Sequence, residues 1–140
     1  MDHLIAMLIV WLSVTTGLPE PQGLPAVRQS SPQALADLRY REVGAHRRRE
    51  VVGIYVDATG TIHLSQSWDS RNVADVSILV HELVHHLQNV ADLTYDCPAA
   101  REKLAYQAQA RWLAMFGHSL EGDFGLDAMT LKLTTECLHP

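Results

Sequence analysis

The chain has 140 residues, 47% of them apolar and 19% charged, which suits one folded domain and leaves no room for a second core of ordinary size. Its 11 basic residues stand against 16 acidic ones, a formal charge of -5. A nucleic-acid binder needs a basic footprint that releases counterions, so the balance argues against nucleic acid as a partner.

Leu4 to Val14 is a nearly unbroken apolar run, followed by the small and polar residues up to Gly17 and then Pro19. A helix needs about 20 residues to cross a bilayer, so this run is too short to span one. It fits the apolar part of a secretory signal over residues 1–17, with Thr15 and Gly17 placed for cleavage near Leu18. Met1-Asp2-His3 lacks the Lys or Arg usual at the start of such signals, which leaves an uncleaved anchor or a mis-assigned start as alternatives. The expected location is therefore periplasmic or secreted, with any membrane attachment made through this segment alone.

Residues 18–31 are rich in Pro, Gly, Gln and Ser and read as a linker or arm. Ser31-Pro32 looks like a cap followed by Pro at the first helical position, and opens a short helix. The arginines 39, 41, 47, 48 and 49 are interrupted by Glu42 and Glu50 and read as a solvated loop or helix face. Val51 to Val56 alternates and is β-branched, Asp57 to Gly60 supplies turn chemistry, and Thr61 to Leu64 runs extended again: a hairpin. From Asn72, a cap with Asp75 three residues on, apolar residues recur at helical spacing from Val76 to Val90. A second long helix is expected from Pro98 to about Phe116, capped by Asp96 or Cys97 and stopped by Gly117. Gly122 and Gly125 punctuate a loop, and a last short helix covers Asp127 to Thr135.

Two cysteines, Cys97 and Cys137, suit an exported domain in which one bridge ties the chain end to its middle. Such a bridge would add about 4 kcal/mol in the chain-entropy model. Two unlinked buried thiols are the alternative, because the bridge needs Cα atoms within about 7 Å.

The chemistry concentrates in His81-Glu82-Leu83-Val84-His85. At about 100° per residue, His81 and His85 lie about 40° apart and one turn above each other, so two imidazoles can converge on one ion. The apolar residues centre on the opposite side, near Leu83 and Leu87, leaving a face that presents His81, His85 and Gln88. Glu82 points to the side of the pair, where it reaches a water without being a ligand. His86 lies about 100° around from His85 and reads as a surface or core histidine. Trp68 and Trp112 read as core or rim aromatics, and His63 as surface.

Here the chain resembles the zincin metallopeptidases, with His81-Glu82-Leu83-Val84-His85-His86-Leu87-Gln88 similar to their active-site helix and the preceding hairpin similar to the strands that pair with substrate. Ala91 stands where the extended metzincin pattern would place a third His. The resemblance is therefore to the gluzincin type, whose third ligand is a Glu on a following helix, and Glu102 in Glu102-Lys103-Leu104-Ala105-Tyr106 has that place. His118, Glu121, Asp123 and Asp127 compete with it. Tyr106 occupies the position where better-known gluzincins carry an Asp that orients a ligand His, so the orienting partner is unassigned. The same motifs resemble a bacterial domain family of unknown function with gluzincin-like features, over Ile54 to Gly117.

What the resemblance implies is an α+β minimal zincin-like domain over residues 32–140, binding Zn2+ through His81, His85 and Glu102. It would hydrolyse peptide bonds of a peptide or protein substrate through a metal-activated water, with Glu82 as general base. Tyr106, Tyr95 and His118 are candidates for the oxyanion donor, and Gln88 for a hydrogen bond near the ion. The alternative is a catalytically inactive zincin-like domain that binds metal or another protein. A structural zinc would want four protein ligands, and the two cysteines lack close CxxC spacing.

Overall fold

The computed structural model of the protein describes residues 1–43 and 52–138. Among these are six helices and one small sheet, an α+β arrangement in the order α1 (Asp2–Thr16), β1 (Ala26–Ser30), α2 (Pro32–Val43), β2 (Gly53–Val56), β3 (Thr61–Ser65), α3 (Val73–Val90), α4 (Pro98–Ala114), α5 (Leu120–Phe124) and α6 (Ala128–Thr135). Val51 and the arginines 47, 48 and 49 lie outside the described residues.

β2 and β3 form the expected hairpin, antiparallel with Gly53 opposite Leu64 and Val56 opposite Thr61. The strand order β1-β3-β2 adds a parallel partner to β3, with Ala26 opposite Thr61 and Ser30 opposite Ser65. That strand comes from residues expected to be a linker. Ala26-Val27-Arg28-Gln29-Ser30 has little apolar alternation of its own, and its stabilisation comes from pairing with β3. The Gln29 amide adds a bond to the Trp68 carbonyl, at 3.1 Å. His63, expected at the surface, is half-buried and faces Ser30 Oγ at 3.3 Å.

Helix starts follow their caps. The Ala34 amide donates to Ser31 Oγ at 3.2 Å, and the Asp75 amide to Asn72 Oδ1 at 3.1 Å. Cys97 caps α4 without a side-chain bond, and Pro98 fills its first turn. Asp127 Oδ1 accepts from the Thr130 amide at 2.8 Å and opens α6. The stretch around Gly122, expected as loop, contains the short helix α5. Ser119 Oγ takes the Gly122 amide at 2.9 Å, Gly125 closes the helix at φ 66°, and Leu120 is buried with Leu113 and Leu126.

α3 is the centre of the molecule. Every residue from Val76 to Gln88 is buried, because the sheet covers one side and α4 another. The face that presents His81, His85 and Gln88 is covered by α4, which turns back on α3. β2 approaches α3 closely at Gly53, where a Cβ would stand 2.7 Å from Ile78 Cγ2.

The apolar run of residues 4–14, read as a leader, forms α1 and packs on α3 and α4. Ile5, Leu8, Ile9 and Leu12 are buried in the main core, and Trp11 meets Trp112 edge-on with ring centroids 5.6 Å apart. No described helix is long and apolar enough to cross a membrane. A disulfide joins Cys97 to Cys137, with Cα atoms 5.9 Å apart.

Candidate metal centre

Ser77, His81 and His85 stand four residues apart on α3, and Glu102, Tyr106 and Gln109 stand four and three apart on α4, so each set forms one stripe. The helices run antiparallel and the stripes face each other. His81 Nε2 lies 3.3 Å from Glu102 Oε1, and His85 Nε2 lies 2.6 Å from Glu102 Oε2. The two imidazole centroids are 5.0 Å apart. Among the described residues, His81, His85 and Glu102 are the cluster able to hold a metal ion, with donor atoms within 4.8 Å of one another. Both imidazoles are buried, while the Glu102 side chain is 33% exposed, which gives the centre its contact with solvent.

The outer nitrogens of both rings end on glutamine amides. His85 Nδ1 is 2.8 Å from Gln88 Oε1, and Gln88 Nε2 donates to the Arg101 carbonyl at 3.0 Å and the Tyr95 hydroxyl at 2.9 Å. A carbonyl only accepts, so the orientation of this amide is fixed and His85 Nδ1 must carry the hydrogen. His81 Nδ1 is 2.9 Å from Gln109 Oε1, and Gln109 Nε2 donates to Ser77 Oγ at 3.1 Å. The Ser77 hydroxyl is committed to the Ala74 carbonyl at 2.6 Å, so it accepts from Gln109, and His81 Nδ1 is also a donor. Both Nε2 atoms consequently turn toward the Glu102 carboxylate.

Without an ion, the histidines and Glu102 shift each other's titration. Burial disfavours the charged form of His81, but the bond to Glu102, the charges of Glu82 and Glu102 and the bond to Gln109 outweigh it and raise its pKa to about 9. Burial would raise the Glu102 carboxyl, yet the hydrogen bonds and charges of His81 and His85 hold it well below the usual carboxylate range.

Glu82 is buried beside the pair, next to the backbone of Gly53 at the start of β2. The Tyr106 ring stands edge-on to His81, centroids 4.6 Å apart. His118 is not brought to the centre. Its amide bonds the Leu113 carbonyl, about 16 Å along α4 from Glu102 at 1.5 Å per residue, and its ring pairs with Asp123 at 2.8 Å. Asp127 is engaged as the cap of α6. Of the residues that competed with Glu102, His118, Asp123 and Asp127 thus have other partners.

His86 is a buried histidine and not part of the cluster. Asn89 Nδ2 donates to the Tyr55 hydroxyl at 2.9 Å, and that hydroxyl shares a hydrogen bond of 2.8 Å with His86 Nδ1. Burial lowers the pKa of His86. Arg101 grips Asp57 with two bonds, of 2.8 and 2.6 Å, and also reaches the His85 carbonyl at 3.2 Å. These contacts tie the β2–β3 turn to the two ligand-bearing helices. Sequence reasoning missed Gln109, Arg101 and Tyr55. Only the first had a readable signal, seven residues after Glu102 and so two turns along the same face.

A family model described as "Domain of unknown function (DUF6647)" matches residues 1–140. No curated protein and no solved structure matches the chain.

Proposed function

The chain belongs to the DUF6647 family over residues 1–140, and we propose, on the geometry of its histidines, that it is a zinc-dependent metallopeptidase of minimal zincin-like, gluzincin type. The observation that carries the reading is the convergence of two imidazole Nε2 atoms on one carboxylate while both Nδ1 hydrogens are committed elsewhere. The donor set fits zinc. Two neutral imidazoles and a carboxylate are ordinary ligands of that ion, and three protein donors rather than four match a catalytic site. A zinc ion held by His81, His85 and Glu102 would bring the pKa of a water toward neutrality and polarise a substrate carbonyl.

Glu82 takes the proton of the attacking water as the new C–O bond forms, and passes it to the leaving amine as the C–N bond breaks. Its place beside the ligand pair and next to β2 suits that work. Tyr106, whose ring stands edge-on to His81, is the candidate we assign to the developing oxyanion. β2 is the last strand of the sheet and pairs only with β3 among the described residues, which supports an extended peptide as substrate.

Metal content by elemental analysis, on wild type and the His85→Ala, Glu102→Ala and Glu82→Gln variants, combined with hydrolysis of a peptide library, tests this. We expect about one zinc per wild-type chain, strong loss in the first two variants, and retained zinc with a turnover loss of about 10²- to 10⁴-fold in Glu82→Gln. Zinc without hydrolysis in the wild type would favour the binding-domain alternative. No zinc after resupply would end the metal reading.

A further inference from the structure

Resting on the metal reading above, we propose that Gln109 is a positioning residue that sets the tautomer and aim of His81, and that its being a neutral amide keeps the centre electron-poor. Gln109 is buried and both ends of its amide are used. The hydrogen bonds run in one direction, from His81 Nδ1 to Gln109 Oε1, from Gln109 Nε2 to Ser77 Oγ, and from the Ser77 hydroxyl to the Ala74 carbonyl. A backbone carbonyl terminates the series and can only accept, so every hydrogen upstream of it has a fixed place. α4 therefore grips His81 at both nitrogens, through Glu102 at Nε2 and through Gln109 at Nδ1, two helical turns apart. Ring rotation is thereby opposed from both sides, and the Nδ1 side is the one that Gln109 holds as a donor.

The amide also has an electrostatic consequence. The charges of Glu82 and Glu102 already act on His81. A carboxylate at position 109 would be a third acidic group around one buried ring. It would push electron density through the imidazole toward the ion, as charged outer partners do, and blunt the polarisation on which hydrolysis depends. The amide orients His81 without that donation. Gln88 does the same for His85, but its Nε2 is fixed against the Arg101 carbonyl, so a carboxylate there would face another oxygen. At position 109 a carboxylate would meet a hydroxyl, Ser77 Oγ, instead of a carbonyl.

The test combines nitrogen-15 NMR of the imidazoles in the zinc-free chain, at alkaline pH, with zinc titration and peptide turnover. The chains are wild type, Gln109→Leu, Gln109→Glu and Ser77→Ala. In the wild type both rings should carry hydrogen on Nδ1. Gln109→Leu should lose that preference at His81 and keep it at His85, and bind zinc about 10- to 100-fold more weakly. Gln109→Glu should keep the Nδ1 hydrogen, bind zinc at least as tightly as wild type, and turn over more slowly. Should the leucine variant fail to fold, Ser77→Ala leaves Gln109 free to flip and should mix the His81 tautomers on its own. A His81 hydrogen on Nε2 in the wild type, an unchanged ring in both Gln109→Leu and Ser77→Ala, or full turnover in Gln109→Glu would overturn the proposal. Absence of zinc binding by the wild type would instead fail the metallopeptidase reading, with the ring spectra still judging the role of Gln109.

Discussion

With no ion between them, His81 and Glu102 stabilise each other's charge, and the fold feels this in opposite ways at the two ends of the pH scale. The His81 pKa is raised from 6.5 to about 9, so its contribution is complete below pH 6.5 and is lost as pH rises through about 9. The Glu102 pKa is lowered from 4.5, so its contribution is present above pH 4.5 and is lost at lower pH. Denaturant unfolding of the chelator-treated protein should therefore show a decline in stability from pH 6.5 to 9 and another in acid. Zinc should remove the alkaline decline, because the ion replaces the proton that His81 gives up. At Gly53 the expectation is steric. Gly53→Ala places a methyl 2.7 Å from Ile78 Cγ2, a β-branch with little freedom to yield, and should cost about 1–3 kcal/mol by urea unfolding. It should also disturb hydrolysis, since the strand that shifts lies against Glu82.

The elements readable in the sequence are those whose signals are local. Asn72 with Asp75, Ser31 with Pro32 and the Asp57–Gly60 turn each specify a boundary through bonds made within a few residues. His81, Glu82 and His85 were legible for the same reason, since one helical turn fixes their spacing. Glu102 was nominated by a family resemblance and Gln109 not at all, because nothing in the order of residues on α4 says which polar side chain meets which histidine. β1 was missed because its partner lies 35 positions later, at Thr61 for Ala26. α1 was ambiguous for a physical reason: an uncharged apolar run suits a leader and a core helix alike. Leu8→Ala separates the two, with an expected loss of about 2–5 kcal/mol in chemical denaturation if α1 stays on the domain. An unchanged midpoint would mean that the rest of the chain folds without it.

At the scale of the whole molecule, the disulfide cross-links the C-terminal segment to the start of α4. It closes a loop of sequence separation 40, worth about 4 kcal/mol by chain entropy, and one of its ends is the cap of the helix that carries Glu102. Adding a thiol reductant, or replacing both cysteines with Ser, should lower the unfolding free energy by about that amount and weaken zinc binding through fraying of the first turns of α4. A reduced protein with unchanged stability and zinc affinity would assign the bridge no role in either.

His81, His85 and Glu102 all belong to one helical hairpin, between Val73 and Ala114, and Cys137 lies beyond it. Loop-closure entropy grows with separation along the chain, and His85 and Glu102 are 17 positions apart whereas Cys97 and Cys137 are 40 apart. A refolding chain therefore closes the helical hairpin over the shorter loop, and the cross-link spans the longer one.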